Sequence, residues 1–232
     1  MNAARLKTSL IELLKIPSPS GKEGLVAAYI KDRVKKLGLK VFEDLAGKEL
    51  GSDTGNLIIS SSEGRGEPLF LSSHMDTVQV CLDKEVPVFI SGDRIDTGGV
   101  SILGSDDKVG IAVALEMLTV AVEKPEIARP LDLIFTIKEE QGALGSGFLN
   151  PVHIQSRYGF NLDGETPVYS AIREAPAKAR YNIQIRGKSA HAALNPEEGI
   201  NAVRIAGKII DKLPDGRIDS MSIAVWGKSR CY

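Results

Sequence analysis

The stretch that decides the fold is L-D-L-I-F-T-I-K-E-E at residues 131–140, an apolar run that ends in two acids. A short, continuous apolar run of this kind predicts a strand that is buried on both faces of a sheet. Three similar runs, at residues 56–60, 68–73 and 158–162, predict further strands. The polar residues that directly follow these runs would lie at the edge of the sheet that the runs form.

Helices are predicted where apolar residues recur at intervals of three or four. The first helix ends at Pro17 and has four leucines on one face: Leu6, Leu10, Leu13 and Leu14. A helix that faces the core is favoured over one on a membrane surface. Residues 22–37 predict a second helix, and residues 86–97 predict a hairpin. Residues 108–124 predict a third helix with one apolar stripe, formed by Ile111, Leu115, Leu118 and Val122. Strands that alternate with helices predict an α/β fold, a mixed central sheet with helices on both faces.

The pattern changes towards the end of the chain. Residues 178–186 alternate polar and apolar side chains, as a half-exposed antiparallel strand does. Residues 200–213 predict a helix and residues 221–226 a strand. We therefore predict two domains, an α/β domain over residues 1–174 and the start of a smaller α+β domain over residues 175–232.

The composition excludes several classes of protein. Among 232 residues there are 29 Lys+Arg and 30 Asp+Glu, and the net charge of -1 gives no electrostatic reason to expect a nucleic-acid or membrane-surface partner. Cys81 and Cys231 form neither a disulfide framework nor a multi-cysteine zinc site. No apolar run reaches the roughly 18 residues of a membrane helix, and no signal-peptide core opens the chain. We expect a soluble cytoplasmic protein.

His74 and Asp76 directly follow the predicted strand at residues 68–73, in S-S-H-M-D-T-V. Side chains two positions apart in an extended chain point the same way. An imidazole and a carboxylate in this arrangement can serve as a metal ligand and as the group that orients it. For these two residues alone, a structural hydrogen-bonded pair is the commoner explanation.

Asp106 and Asp107 stand at the start of the predicted helix at residues 108–124. Acids at a helix N-terminus cap free N–H groups and suit the helix dipole, so capping and metal binding are both open for this pair. The glycines before them do not form a phosphate loop, because the Gly-x-x-x-x-Gly-Lys spacing is absent and the acids would repel phosphate.

Glu139, Glu140 and Asp163 each follow an apolar strand, at the carboxyl edge where ligands bind in α/β sheets. Neighbouring carboxylates beyond a strand end project in different directions, so one can bind a metal while the other holds a proton. With His74 and the aspartates they form a set of one histidine and several carboxylates. Such a set suits a two-metal site with a bridging carboxylate, for zinc or a similar divalent ion.

The order of these motifs is similar to that of the co-catalytic zinc peptidases of the M20 family. Four motifs follow one another as in that family: H-M-D-T-V at residues 74–78, G-S-D-D-K-V-G at 104–110, K-E-E-Q-G-A-L-G-S at 138–146 and L-D-G at 162–164. I-P-S-P-S-G-K-E at residues 16–23 and G-K-S-A-H-A at 187–192 also fit. The chain most resembles the peptidase T-like (tripeptide aminopeptidase) branch, and the likeness covers roughly residues 6–226.

The resemblance implies a fold like that of the zinc exopeptidases and a pair of bound zinc ions (Zn²⁺), with Co²⁺ or Mn²⁺ as alternatives. His74 and Asp163 match ligands of the first zinc. Asp106 matches the carboxylate that bridges both ions, and Glu140 matches a ligand of the second. The domain of residues 1–174 would then be the catalytic domain, and that of residues 175–232 a lid and dimerisation domain.

The remaining roles also come from the resemblance. Asp76 matches the acid that orients the His74 imidazole, and Glu139 matches the general base. His191 matches a lid histidine that helps to hold the substrate in the neighbouring subunit of dimeric members. His153 fits no motif and is interpreted as structural.

The implied function is hydrolysis of short peptides by a metal-activated water, with Glu139 as the base. An N-acyl amino-acid deacylase is the alternative within the same chemistry, because related families share these motifs. The family's last zinc ligand is a histidine from a later segment, and neither His153 nor His191 replaces it. We therefore expect an incomplete second zinc site in a truncated chain, so a non-catalytic fragment is the other alternative.

Overall fold

The computed structural model describes residues 1–78, 85–164, 170–172, 181–214, 216–217 and 223–224. The chain divides into two compact units, Met1–Tyr169 and Ser170–Tyr232. The predicted boundary between residues 174 and 175, both cysteines and most of the predicted strand at residues 221–226 lie outside the described residues.

The first unit carries most of the regular structure. Its α-helices within the described residues are α1 (Ala3–Lys15), α2 (Gly24–Lys36), α3 (Ala46–Leu50) and α4 (Ser105–Glu123). Its strands there are β1 (Phe42–Glu43), β2 (Leu57–Ser61), β3 (Leu69–His74), β4 (Phe89–Ser91), β5 (Arg94–Asp96), β6 (Leu131–Thr136) and β7 (Gly159–Asn161). Short 3-10 helices lie at Pro125–Ile127, Gly145–Phe148 and Pro151–His153. The predicted hairpin is β4 paired antiparallel with β5.

The central sheet has the strand order β1-β2-β6-β3-β7. Strand β2 runs antiparallel to β1 and β6, whereas β3 runs parallel to both β6 and β7. The predicted α/β fold, a mixed central sheet flanked by helices, is therefore confirmed. The central position of β6 explains why its residues 131–135 are all buried. Four of these five residues are apolar, and the fifth is Asp132.

One hydrophobic core joins α1, α2 and α4 to one face of the sheet. Ile111, Leu115 and Leu118 of the predicted apolar stripe on α4 are fully or almost fully buried in it. Leu71 of β3 and Leu133 of β6 belong to the same cluster. Because side chains alternate along a strand, Phe70 and Ile134 face the opposite side of the sheet, where they line a cleft.

Two short elements near residue 45 are not predicted by periodicity. They are β1 and α3, which are only two and five residues long. Asp44 stabilises them, because its Oδ1 accepts hydrogen bonds from the N–H groups of Ala46 and Asn56. Elements this short have too few residues to show a period, so only their hydrogen-bond partners reveal them.

The second unit contains α5 (Ala202–Ile210), where a helix is predicted, and the paired strands β8 (Gly216–Arg217) and β9 (Ile223–Ala224). The prediction of a strand at residues 178–186 is wrong for residues 181–186, which have no regular structure. A strand needs a partner, and the nearest pairing among the described residues of this unit is the bridge between Lys188 and Ile200. None of the helices described here has the length and apolar character needed to cross a membrane.

Candidate metal centre

The predicted site residues of the first unit lie at the carboxyl ends of three adjacent strands. Strands β6, β3 and β7 are parallel, and His74 at the end of β3 pairs with Thr136 at the end of β6. Glu139 and Glu140 follow β6, and Asp163 follows β7. The parallel register therefore brings these side chains to one edge of the sheet, where the start of α4 adds Asp106.

His74 is the centre of the cluster and is 2% exposed. Its Nδ1 lies 2.9 Å from the carbonyl oxygen of Asp76, and its Nε2 lies 2.9 Å from Oδ1 of Asp106. Nε2 is also 4.0 Å from Oδ2 of Asp163. A carbonyl oxygen can only accept, so Nδ1 carries a proton and Nε2 is the nitrogen that faces the acids.

The carboxylate of Asp76 is fully buried and contacts both sides of the cluster. Its Oδ1 lies 3.4 Å from Nδ1 of His74 and accepts a hydrogen bond from the Glu139 N–H at 2.9 Å. Its Oδ2 accepts hydrogen bonds from the Glu140 N–H at 3.2 Å and from the Ser20 hydroxyl at 2.5 Å. Asp76 thus holds the backbone of Glu139 and Glu140 as well as lying beside the imidazole.

The contact between Asp76 and the Glu139–Glu140 backbone spans more than sixty residues, and sequence reasoning did not anticipate it. Sequence reasoning also gave Ser20 no role. The available signal was the I-P-S-P-S-G-K-E motif at residues 16–23, which fits the family pattern but was given no site residue.

Among the residues that the structure describes, two groups of side chains have ligand atoms that all lie within 4.8 Å of one another. One consists of His74, Asp106 and Glu140, and the other of His74, Glu139 and Asp163. Both share the imidazole, and imidazole nitrogen with carboxylate oxygens is a donor set that suits zinc. The five side chains include every metal ligand expected from the sequence, together with the expected base.

The acids of the cluster repel one another. Burial is the largest cause that raises the pKa of the carboxyls of Glu139, Glu140 and Asp163, and the neighbouring carboxylates raise each pKa further. Burial also raises the pKa of Asp107 to about 6. Asp107 belongs to neither ligand group, and its Oδ2 is buried without a hydrogen-bond partner in the described structure. A bound cation would relieve this repulsion.

The surroundings of the His74 imidazole favour its charged form, whereas those of Glu139, Glu140 and Asp163 disfavour theirs. Burial alone would lower the pKa of His74, but the hydrogen bond and charge of Asp76, together with Asp106, raise that pKa to about 10. For Asp76, burial alone would raise the pKa of the carboxyl. Hydrogen bonds from His74, Ser20 and the Glu139 N–H instead lower that pKa below its usual value. Without a metal, His74 and Asp76 therefore form a charged pair.

The cluster opens into a cleft of ≈ 490 Å³ on the sheet face opposite the main core. His74, Glu139 and Asp163 line one part of it, and apolar residues such as Phe70 and Ile134 line another. A cleft with convergent acids beside an apolar wall has the chemistry of a site for an organic ligand.

Neither of the two ligand groups includes His191 or His153. His191 belongs to the second unit, where its Nδ1 accepts a hydrogen bond from the Ala193 N–H. The ring of His153 stacks on Phe42 with ring centroids 3.8 Å apart. The contact with Phe42 agrees with the structural interpretation of His153.

The chain is similar to known peptidases over much of its length. Residues 56–202 match the model of peptidase family M28. A curated relative, Uncharacterized protein YqjE of Bacillus subtilis (strain 168), is 36% identical over 98% of this chain and 61% of its own length.

Two solved structures have the same fold. A tripeptidase from Staphylococcus aureus has a TM-score of 0.78 and 30% identity, covering 98% of this chain and 61% of that one. Aminopeptidase PepT from Bacillus cereus has a TM-score of 0.73 and 32% identity, covering 95% of this chain and 59% of that one. The chain thus spans about three fifths of the length of these relatives.

Proposed function

Since this chain belongs to peptidase family M28, we propose that it hydrolyses short peptides as a metal-dependent aminopeptidase of the tripeptidase type. The observation that carries the proposal is the convergence of His74 with four carboxylates at one sheet edge, beside a cleft. The similar tripeptidase and aminopeptidase structures support the substrate class. The narrower assignment to the peptidase T-like branch of the M20 family stays a prediction.

Zinc is the metal that we propose, and Co²⁺ or Mn²⁺ would fit the same ligands. Of the two groups, that of His74, Asp106 and Glu140 contains expected ligands of both ions and does not use the expected base Glu139. An ion bound there supplies Lewis-acid chemistry, which acidifies water and polarises a carbonyl group. In the expected two-ion arrangement, Asp163 completes the first site with His74 and Asp106.

Glu139 is the group that we propose to move the proton. Its carboxylate lines the cleft, and its raised pKa suits a residue that takes a proton from water and returns it to the leaving amine. The Asp76 carboxylate fixes the backbone of Glu139, so the position of the base is coupled to that of His74.

The other expected roles stay predictions. They are substrate binding by His191, a homodimer formed through residues 175–232, a short peptide as the partner rather than nucleic acid or membrane, and a cytoplasmic location. No contact in the described residues favours the deacylase or the non-catalytic fragment over the peptidase. The experiment below separates all three.

The test is hydrolysis by the purified chain after loading with Zn²⁺ or Co²⁺. Tripeptides with a free amino terminus are compared with N-acyl amino acids, before and after treatment with a chelator, and Glu139→Gln is the control. We expect tripeptide cleavage that the chelator abolishes and that added metal restores. Cleavage of the N-acyl substrates alone indicates a deacylase, and a folded chain that binds metal without turnover indicates a non-catalytic fragment. A chain that binds no metal refutes the proposal.

A further inference from the structure

Glu23 is 0% exposed, and the proposed mechanism does not use its carboxylate. Burying a charged side chain costs free energy unless hydrogen bonds compensate the charge. Its Oε1 accepts hydrogen bonds from the N–H groups of Gly21 at 2.8 Å and of Lys138 at 3.1 Å. Its Oε2 accepts one from the Ser52 hydroxyl at 2.5 Å. Three donors from separate segments therefore meet this one side chain.

The side chain of Glu23 does not serve its own helix. Glu23 is the N-cap residue of α2, yet its side chain makes no capping hydrogen bond. Asp53 takes that role, because its Oδ1 accepts from the Gly24 N–H at 2.7 Å. The Glu23 carboxylate instead reaches across to the segment that follows β6.

That segment carries the acids of the candidate metal centre and has an unusual backbone. Lys138 has a φ of 51°, in the left-handed region that a residue with a side chain seldom adopts. The turn at Lys138 comes directly before Glu139 and Glu140. A conformation of this kind persists only when its surroundings hold it in place.

Three consecutive N–H groups in this turn are each bound by a buried carboxylate. The Lys138 N–H donates to Glu23, and those of Glu139 and Glu140 donate to the two oxygens of Asp76. Ser20, from the same N-terminal motif as Glu23, donates to Asp76 in turn. The motif at residues 16–23 thus contacts the turn of residues 138–140, the acidic turn, both directly and through Asp76.

We propose that Glu23 is a positioning residue, which holds the turn at Lys138 so that Glu139 and Glu140 face the metal centre. The inference rests on the proposed function only for the role of those two acids. The hydrogen bonds of Glu23 do not depend on a bound metal. Side chains that hold metal ligands in this way typically change metal affinity by about 10- to 100-fold when they are removed.

The test compares Glu23→Ala with two other variants. Glu23→Gln keeps an oxygen at the Oε1 position, so it retains both backbone hydrogen bonds and should rescue the turn. Asp132→Ala is the matched control, because Asp132 is also buried, accepts hydrogen bonds from the N–H groups of Gln155 and Ser156, and lies at the opposite end of β6. Both alanine variants remove a buried carboxylate, but only the carboxylate of Glu23 contacts the acidic turn.

Two measurements are made on each variant. The first is amide hydrogen exchange in the metal-free chain, for the peptide that contains residues 138–140. We expect exchange about tenfold faster in Glu23→Ala, because a hydrogen bond to a charged acceptor is lost, and near-wild-type exchange in Glu23→Gln and Asp132→Ala. The second is Co²⁺ affinity, which should fall about tenfold or more in Glu23→Ala alone.

Wild-type exchange in a folded Glu23→Ala chain overturns the inference, and so does an equal increase in Asp132→Ala. If Glu23→Ala does not fold, Glu23→Asp replaces it, since it keeps the charge but withdraws the carboxylate by one methylene. A wild-type chain that binds no Co²⁺ refutes the proposed function, whereas hydrogen exchange still decides the role of Glu23. The two failures are therefore distinguishable.

Discussion

Replacing Asp76 by asparagine should destabilise the chain far more than the same replacement at Asp132. Both carboxylates are buried and both accept hydrogen bonds from two backbone N–H groups. They differ in how the donors are distributed. Asp76 uses Oδ1 for one N–H and Oδ2 for the other, whereas Asp132 accepts both N–H groups on Oδ2.

The distribution of donors sets the magnitude. An asparagine at position 76 has one oxygen, so its NH₂ group must face the N–H of either Glu139 or Glu140. One N–H then loses its acceptor, and the charge beside the His74 imidazole is also lost. An unsatisfied buried donor costs about 1–3 kcal/mol, and with the lost charge we expect a total of about 2–4 kcal/mol.

At position 132 the amide oxygen can keep both backbone donors. Its NH₂ group then faces the Ser60 hydroxyl, which now donates to Oδ1 and can accept instead. We expect a loss below about 1 kcal/mol, because no N–H loses its acceptor.

The assay is urea unfolding followed by circular dichroism, with a chelator present so that metal binding does not contribute. The free energy of unfolding of each variant is compared with that of the wild type. Equal losses at the two positions, or a larger loss at Asp132, would refute this account of the hydrogen bonds. A large loss only for Asp76→Asn supports it.

Three other outcomes are expected. The free energy of unfolding of the metal-free chain should fall as pH rises from 6.5 towards 10, because the protonated His74 imidazole stabilises the fold and loses its proton over this range. With Zn²⁺ added, the same pH change should lower the free energy of unfolding less. A free energy of unfolding that does not change with pH over this range contradicts the charged pair of His74 and Asp76. Glu139→Gln should lower peptide hydrolysis at least about 100-fold while zinc content stays at the wild-type value, as measured by elemental analysis. Leu133→Ala should cost about 2–5 kcal/mol in urea unfolding, because Leu133 is 0% exposed in the core of β6.

Periodicity and apolar runs predict the long elements of the first unit because their signals are local. The run at residues 131–137 marks β6, and the stripe of Ile111, Leu115 and Leu118 marks α4, since both elements are long enough to repeat a pattern. β1 and α3 are too short to do so. Residues 181–186 show the converse, because an alternating pattern does not form a strand without a partner.

The ligand types are visible in the sequence, but the contacts between them are not. His74, Asp106, Glu139, Glu140 and Asp163 are recognisable because each is a ligand type placed at the end of a strand or the start of a helix. That they meet follows from the parallel order of β6, β3 and β7, which no local pattern encodes. Glu23 is harder to find, because it resembles an ordinary acid at the start of a helix and its partner lies 115 residues away.

The site is best understood as a problem of holding like charges together. Glu139, Glu140 and Asp163 all have pKa values raised by burial and by neighbouring carboxylates, so without a cation the acids tend to separate. The chain opposes this tendency at the backbone, where buried carboxylates bind the N–H groups of the acidic turn rather than its side chains. Hydrogen bonds to the backbone leave the carboxylate oxygens of the acidic turn available to a cation. Hydrogen bonds to those oxygens would instead compete with the cation. Acids that are fixed before the ion arrives lose less conformational entropy on binding, so the same contacts that hold the turn favour metal affinity.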